Sequence, residues 1–227
     1  MGNLGDPGIA GGASPDYVHR AVDASLTRLR TDRINLCQLH EPRPETPIAD
    51  TLGALHDLVR QGKVREIGCS NFSAEQLREA AEAHPGARFA CVQNELNLLA
   101  RDDATEGLAE ADRLGMAYLP YFPLASGLLT GKYRRGEPPS SDSRLDVWYD
   151  ERERAEVLTE ANFDRLDRFS AFAEERGHTL LELAFAWLVA QGPVASVIAG
   201  ATSTDQIRAN AAAGEWRLEP TDLELPA

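Results

Sequence analysis

Cysteine is scarce. Three thiols, Cys37, Cys69 and Cys91, in 227 residues are too few and too scattered for a disulfide framework or a Cys-rich zinc site. Each sits in an apolar run, which predicts reduced, buried thiols. Cations are also short: 23 Lys and Arg stand against 36 Asp and Glu, a net charge of −13. That balance lacks the basic footprint that phosphate backbones require, so nucleic-acid binding is excluded as an expectation. No apolar run approaches the roughly 20 residues needed to span a bilayer, and no signal peptide is expected at the start. Met1-Gly2 suits myristoylation, but Asp6 stands where Ser or Thr is needed. What is present is ordinary for a globular chain, 43% hydrophobic and 26% charged, and long enough to bury a core without staples. The expectation is a soluble, acidic, cytoplasmic protein without nucleic-acid or membrane partners.

Periodicity then places the elements. Residues 1–13 are Gly-rich and aperiodic and read as a loop. Ser14-Pro15 reads as an N-cap and first helical residue, followed by Val18, Ala21, Val22, Leu26 and Leu29 at helical spacing. Strand-length apolar runs occupy 33–40, 64–71, 89–96, 116–123 and 194–201. Helical patterns fall at 51–60, from Ser73 with a Ser73/Gln76 capping box, and at 104–114, 160–176, 180–190 and from Ser203 to about 213. The polar stretch 133–156, with Pro138 and Pro139, reads as a long loop.

Strands alternating with helices specify parallel βαβ units, and near-continuous apolar strands predict cover on both faces. An open doubly wound sheet and a (β/α)8 barrel both satisfy this. No G-x-G-x-x-G follows a strand, so the Rossmann fingerprint is absent. Polar residues instead end successive strands: His40, Ser70-Asn71, Gln93-Asn94 and Tyr121. In a barrel such ends share the active face, and that pattern favours the barrel.

Five stretches together, 32–40, 62–72, 92–95, 121–132 and 198–210, resemble the aldo-keto reductases in order and spacing over nearly the whole chain. The resemblance implies an α/β fold, a (β/α)8 TIM barrel that binds NADP(H) across the C-terminal ends of its strands and reduces an aldehyde or ketone to an alcohol. It implies His40 as a catalytic residue, an imidazole able to donate a hydrogen bond to a carbonyl. Ser70, Asn71 and Gln93 carry the hydroxyl and amide groups that match a carboxamide, and by resemblance they hold the nicotinamide. Tyr121 would stack on that ring. The stretch through Pro123, Leu124, Gly127 and Lys132 would wrap the pyrophosphate, and Arg144 resembles a further cationic clamp. Gly200 and Thr202 precede the last helix, whose N-terminus suits an anion, and Gln206 and Asn210 lie one turn apart, facing the adenine side. Many members carry Lys and Arg where Gly200 and Gln206 stand, and an acidic residue where Ala209 stands, so NAD(H) stays open beside NADP(H).

The family's tetrad is Asp, Tyr, Lys and His, and only His40 is matched. The resemblance therefore predicts an incomplete barrel, about five of eight strands with the first three βα units missing, in one domain over 1–227. Three readings stay open: a working reductase with a truncated chain, a non-catalytic nicotinamide-nucleotide-binding or interaction module, and an unstable or oligomer-dependent fragment. Open edges at the His40 and 194–201 strands predict self-association and leave apolar side chains such as Leu36 uncovered.

Overall fold

The computed structural model describes residues 12–223 and 225, so most of the loop expected at 1–13 lies outside the described residues. The chain divides into two compact units, one running to Asn94 and including Thr105–Tyr118, the other made of Glu95–Ala104 and the residues from Leu119 onward.

The first unit is built from βα repeats. Its strands are β1 (Ile34–Leu39), β2 (Val64–Ser70), β3 (Cys91–Gln93) and β4 (Ala117–Tyr118), all parallel and in the order β1-β2-β3-β4. Strand order follows chain order, without the reversal that marks a doubly wound sheet. Helix α1 (Pro15–Leu29) precedes β1, and helices α2 (Ile48–Arg60), α3 (Ala74–Ala83) and α4 (Arg101–Arg113) connect successive strands. Pro15 opens α1, and the Ser73/Gln76 capping box opens α3, both as the sequence predicts. Leu52, Leu55 and Leu58 of α2, Leu77 of α3, and Ile67 and Val92 of the sheet are all buried, and α2 packs on α3 and β2. Each such side chain contributes about 1.5–3 kcal/mol. Gly68 is required by packing: a Cβ there would lie 2.5 Å from Cys91 Sγ and 3.1 Å from Gln38 Cγ.

Strand β1 departs from the expectation of two covered faces. Among the described residues it is one of the sheet's two outer strands, with Asn35 and Leu36 exposed, Leu36 to 39%. Strands β3 and β4 are also shorter than their apolar runs. Asn94 leaves the β3 ladder by exchanging side-chain hydrogen bonds with the Phe72 backbone, 2.7 and 3.2 Å.

The second unit holds the other differences. Residues 194–201 form no strand in the sheet among the described residues. Gly192-Pro193 and Gly200 bracket a run whose Ile198 is 42% exposed, and Ile198 N–H donates to the Pro120 carbonyl, 2.9 Å. The expected loop 133–156 contains two short helices, α5 (Arg144–Trp148) and α6 (Glu151–Val157). Ser143 caps the first, and a reciprocal Asp150/Glu153 box caps the second. Helices α7 (Glu160–Glu174), α8 (Leu180–Val189) and α9 (Thr204–Ala213) follow. Phe169, Leu183 and Leu188 are fully buried with Leu129 and Leu145 in this unit's core.

Candidate functional site

In the first unit, three adjacent strand ends are tied together by side chains. Asn71 follows β2 at φ +61°, a left-handed conformation that Asn tolerates better than most residues. From there its Nδ2 donates to the His40 carbonyl at 2.9 Å and to Ser70 Oγ at 3.2 Å. Ser70, 4% exposed, donates its hydroxyl to the Gln93 carbonyl at 2.6 Å, and Asn71 N–H donates to the same oxygen at 3.2 Å. His40, Ser70, Asn71 and Gln93 are therefore brought together. The imidazole of His40 is exposed at the end of β1, and the amide of Gln93 is half-buried at the end of β3. Ser70 and Asn71 have a second duty beyond the one the sequence assigns, since both hold the strand ends in register. Asn94 reinforces this from β3 through Phe72.

The three thiols lie within this sheet and are free. Burial pushes each of them above the usual thiol range, so none is poised as a nucleophile.

In the second unit, Tyr121 pairs with Glu95 in an isolated parallel bridge. It does not sit in β4, as the apolar run 116–123 suggests. Burial, followed by the Glu95 carboxylate, pushes its hydroxyl above the usual tyrosine range. Its ring meets Phe122 edge-on at 5.2 Å. Beyond buried Pro123 comes a tight 3-10 turn, Ala125–Thr130. Phe122, Ala125, Ser126 and Gly127 have φ of +52°, +44°, +56° and +100°. Left-handed non-glycine residues cost on the order of 1–3 kcal/mol each, and only glycine adopts +100° without strain. A Cβ on Gly127 would also lie 2.7 Å from Lys132 Cε. Its absence lets Lys132 fold over the turn, with Nζ 4.9 Å from the Tyr133 ring centre. Arg144, now the first residue of α5, places its guanidinium 4.9 Å from the Phe122 ring centre. Two cations thus flank one glycine-bearing turn, a cradle of the kind a pyrophosphate fits.

The start of α9 differs from the sequence reading in detail. Gln206 lies with its Oε1 accepting from Thr202 N–H at 2.7 Å and from Thr202 Oγ1 at 3.1 Å. Asn210 Nδ2 donates to the Gly200 carbonyl at 3.5 Å. Both side chains share a face, as their spacing requires, but they hold the loop that precedes their own helix.

Sequence reasoning missed three residues at the turn. Asn97, 1% exposed, donates to the Phe122 carbonyl at 3.1 Å and accepts from Leu99 and Ala100 N–H. Ser126 and Tyr149 bring their hydroxyls within 2.6 Å. For Asn97 the asparagine-headed turn was a usable signal. For the Ser126–Tyr149 pair, 23 positions apart, no local signal exists.

Residues 4–225 match the model of a protein family described as the aldo/keto reductase family. The chain is 31% identical to an NADH-specific methylglyoxal reductase of Escherichia coli (strain K12), over 98% of this chain and 67% of that protein. It is 35% identical to a probable voltage-gated potassium channel subunit beta of Arabidopsis thaliana, over 88% and 62%. Among solved structures it is similar to a glycerol dehydrogenase from Gluconobacter oxydans, with TM-score 0.78 and 32% identity over 92% of this chain and 62% of that one. The chain therefore spans 62–67% of the length of these relatives. The expectation of missing N-terminal units is not confirmed, because the family model matches nearly the whole sequence.

Proposed function

Since the chain belongs to the aldo/keto reductase family, we propose that it binds a nicotinamide dinucleotide and serves the reduction of an aldehyde or ketone to an alcohol. The observation that carries this reading is the hydrogen-bonded set His40, Ser70, Asn71 and Gln93 at three adjacent parallel strand ends. The sheet's sequential order supports its membership of a (β/α)8 barrel. Gln93, with Asn71 and Ser70, would hold the carboxamide of the nicotinamide, and Tyr121 would lie flat against the ring. The turn through Leu124 and Gly127, with Lys132 and Arg144, would hold the pyrophosphate. Gly200, Thr202, Gln206 and Asn210 would meet the adenosine. When bound, that cofactor would supply a hydride to the carbonyl carbon and leave oxidised, and the oxygen would take its proton from solvent water. The chain's own part is to fix the orientation of ring and substrate, with His40 donating a hydrogen bond to the carbonyl oxygen and so favouring negative charge there.

A second reading, a module that binds the nucleotide without turnover, is favoured by two observations. His40 is the member of the family's Asp, Tyr, Lys and His set that these 227 residues match, and one relative is named as a channel subunit. The experiment is NADPH and NADH oxidation with a broad panel of aldehydes, run on the chain and on His40→Ala. Aldehyde-dependent oxidation that His40→Ala reduces about 100-fold or more supports the reductase. Dinucleotide binding with no oxidation of any aldehyde supports the module, and oxidation that His40→Ala leaves intact removes His40 from the chemistry.

A further inference from the structure

The turn from Phe122 to Gly127 holds three non-glycine residues, Phe122, Ala125 and Ser126, in a left-handed conformation that they would not adopt alone. Such a conformation persists only where the surroundings over-determine it. Asn97 fastens one end at the Phe122 carbonyl. Tyr133, 9% exposed, donates its hydroxyl to the Ser126 carbonyl at 3.2 Å and accepts from Leu145 N–H at 3.4 Å. Tyr149 reaches Ser126 Oγ at 2.6 Å. Helix α5 therefore grips the turn at both of its ends, through Arg144 over Phe122 at the start and Tyr149 on Ser126 at the finish. A five-residue helix has too few internal hydrogen bonds to hold itself, and α5 also exposes Val147 and Trp148 to 62% and 72%. A strained turn and a marginal helix thus stabilise one another through a few named contacts.

We infer that Tyr149 is a positioning residue: its hydrogen bond to Ser126 fixes the turn in the form that receives the dinucleotide phosphates and so couples α5 to cofactor affinity. The inference rests on the reading that this turn binds the cofactor. A bond of this kind is worth about a three- to tenfold change in an equilibrium constant. A purely structural role would lower the melting temperature of the free protein and leave affinity alone.

The test is a fluorescence titration of the full chain with NADPH and with NADH, alongside thermal melting without nucleotide. It is run on wild type, Tyr149→Phe, Ser126→Ala and the double variant. The expected result is a dissociation constant raised about three- to tenfold in each single variant, with melting still cooperative and lowered by no more than about 6 °C. The double variant should be no weaker than the singles, since both remove one bond. Wild type that binds while Tyr149→Phe binds equally well overturns the inference and leaves the reading of the turn standing. Additive losses overturn it too, because the two hydroxyls would then act separately. Should Tyr149→Phe lose cooperative melting, Ser126→Ala reports the same bond from its other end. Lowered melting in both with unchanged affinity makes the bond structural only and overturns the inference. Wild type that binds neither nucleotide overturns the reading and the inference with it.

Discussion

Gln206 shows how one side chain sets a preference. Its Oε1 accepts two hydrogen bonds from Thr202, and its own N–H donates to Ser203 Oγ at 3.2 Å. Donors at the start of α9 that an anion would use are thereby engaged. Arg208, one turn after Asp205, lies 3.6 Å from its carboxylate. Replacing Gln206 by Arg adds a planar, permanently charged donor and frees the Thr202 N–H. The expected outcome is a shift of the NADPH/NADH affinity ratio towards NADPH by about tenfold, the scale of one charge-assisted hydrogen bond. Parallel titrations with the two nucleotides read it, and an unchanged ratio places Gln206 away from the adenosine. The position of Gln206, one turn from Asn210 on a capped helix, was legible in the sequence. Its inward conformation was not, because whether an amide bonds a ligand or its own loop depends on the path of residues 200–203.

Caps fix where a helix begins, even one that is well buried. Helix α8 opens on a reciprocal box, in which Glu182 accepts from Thr179 N–H and Oγ1, both at 2.8 Å, and Thr179 Oγ1 accepts from Glu182 N–H. The Thr179 backbone N–H first, then its hydroxyl, then His178, hold the Glu182 carboxyl below the usual carboxylate range. A lowered folded pKa means stability that is present above the unfolded value, about 4.3, and lost as pH falls through the folded value. Glu182→Gln keeps an acceptor but removes the charge, so at pH 7 it should melt about 1–4 °C lower. The gap should close as the pH is taken below about 4, and a gap independent of pH would assign the effect to packing.

The Ser73/Gln76 box was read from the sequence because it precedes an apolar periodic run. The Asp150/Glu153 box that starts α6 has the same chemistry, yet it lies in a polar stretch with none of its residues buried, so periodicity gave no signal. The run 194–201 failed in the opposite sense. It is apolar enough for a strand, but among the described residues it has no ladder neighbour in the sheet. Pairing depends on what lies beside a segment, which composition does not encode.

At the scale of the molecule, the alternation of strands and helices and their order were legible, because parallel βα repeats leave a strong periodic signature. The polar residues at strand ends were legible for the same reason. How they are joined was not: the bonds from Asn71 to His40 and from Ser70 to Gln93 span 31 and 23 positions. The central claim is that strand-end amides and a glycine-bearing turn with two cations make this chain a binder of nicotinamide dinucleotides. Calorimetric titration of the chain with NADPH and with NADH tests it most directly, with Lys132→Ala and Gly127→Val as comparison variants. The account predicts saturable 1:1 binding of at least one nucleotide below millimolar concentration, weakened about tenfold by Lys132→Ala. It also predicts loss of binding in Gly127→Val, where φ of +100° and the Lys132 Cε contact both oppose a side chain. No heat of binding at millimolar NADPH or NADH from a cooperatively folded chain would contradict it.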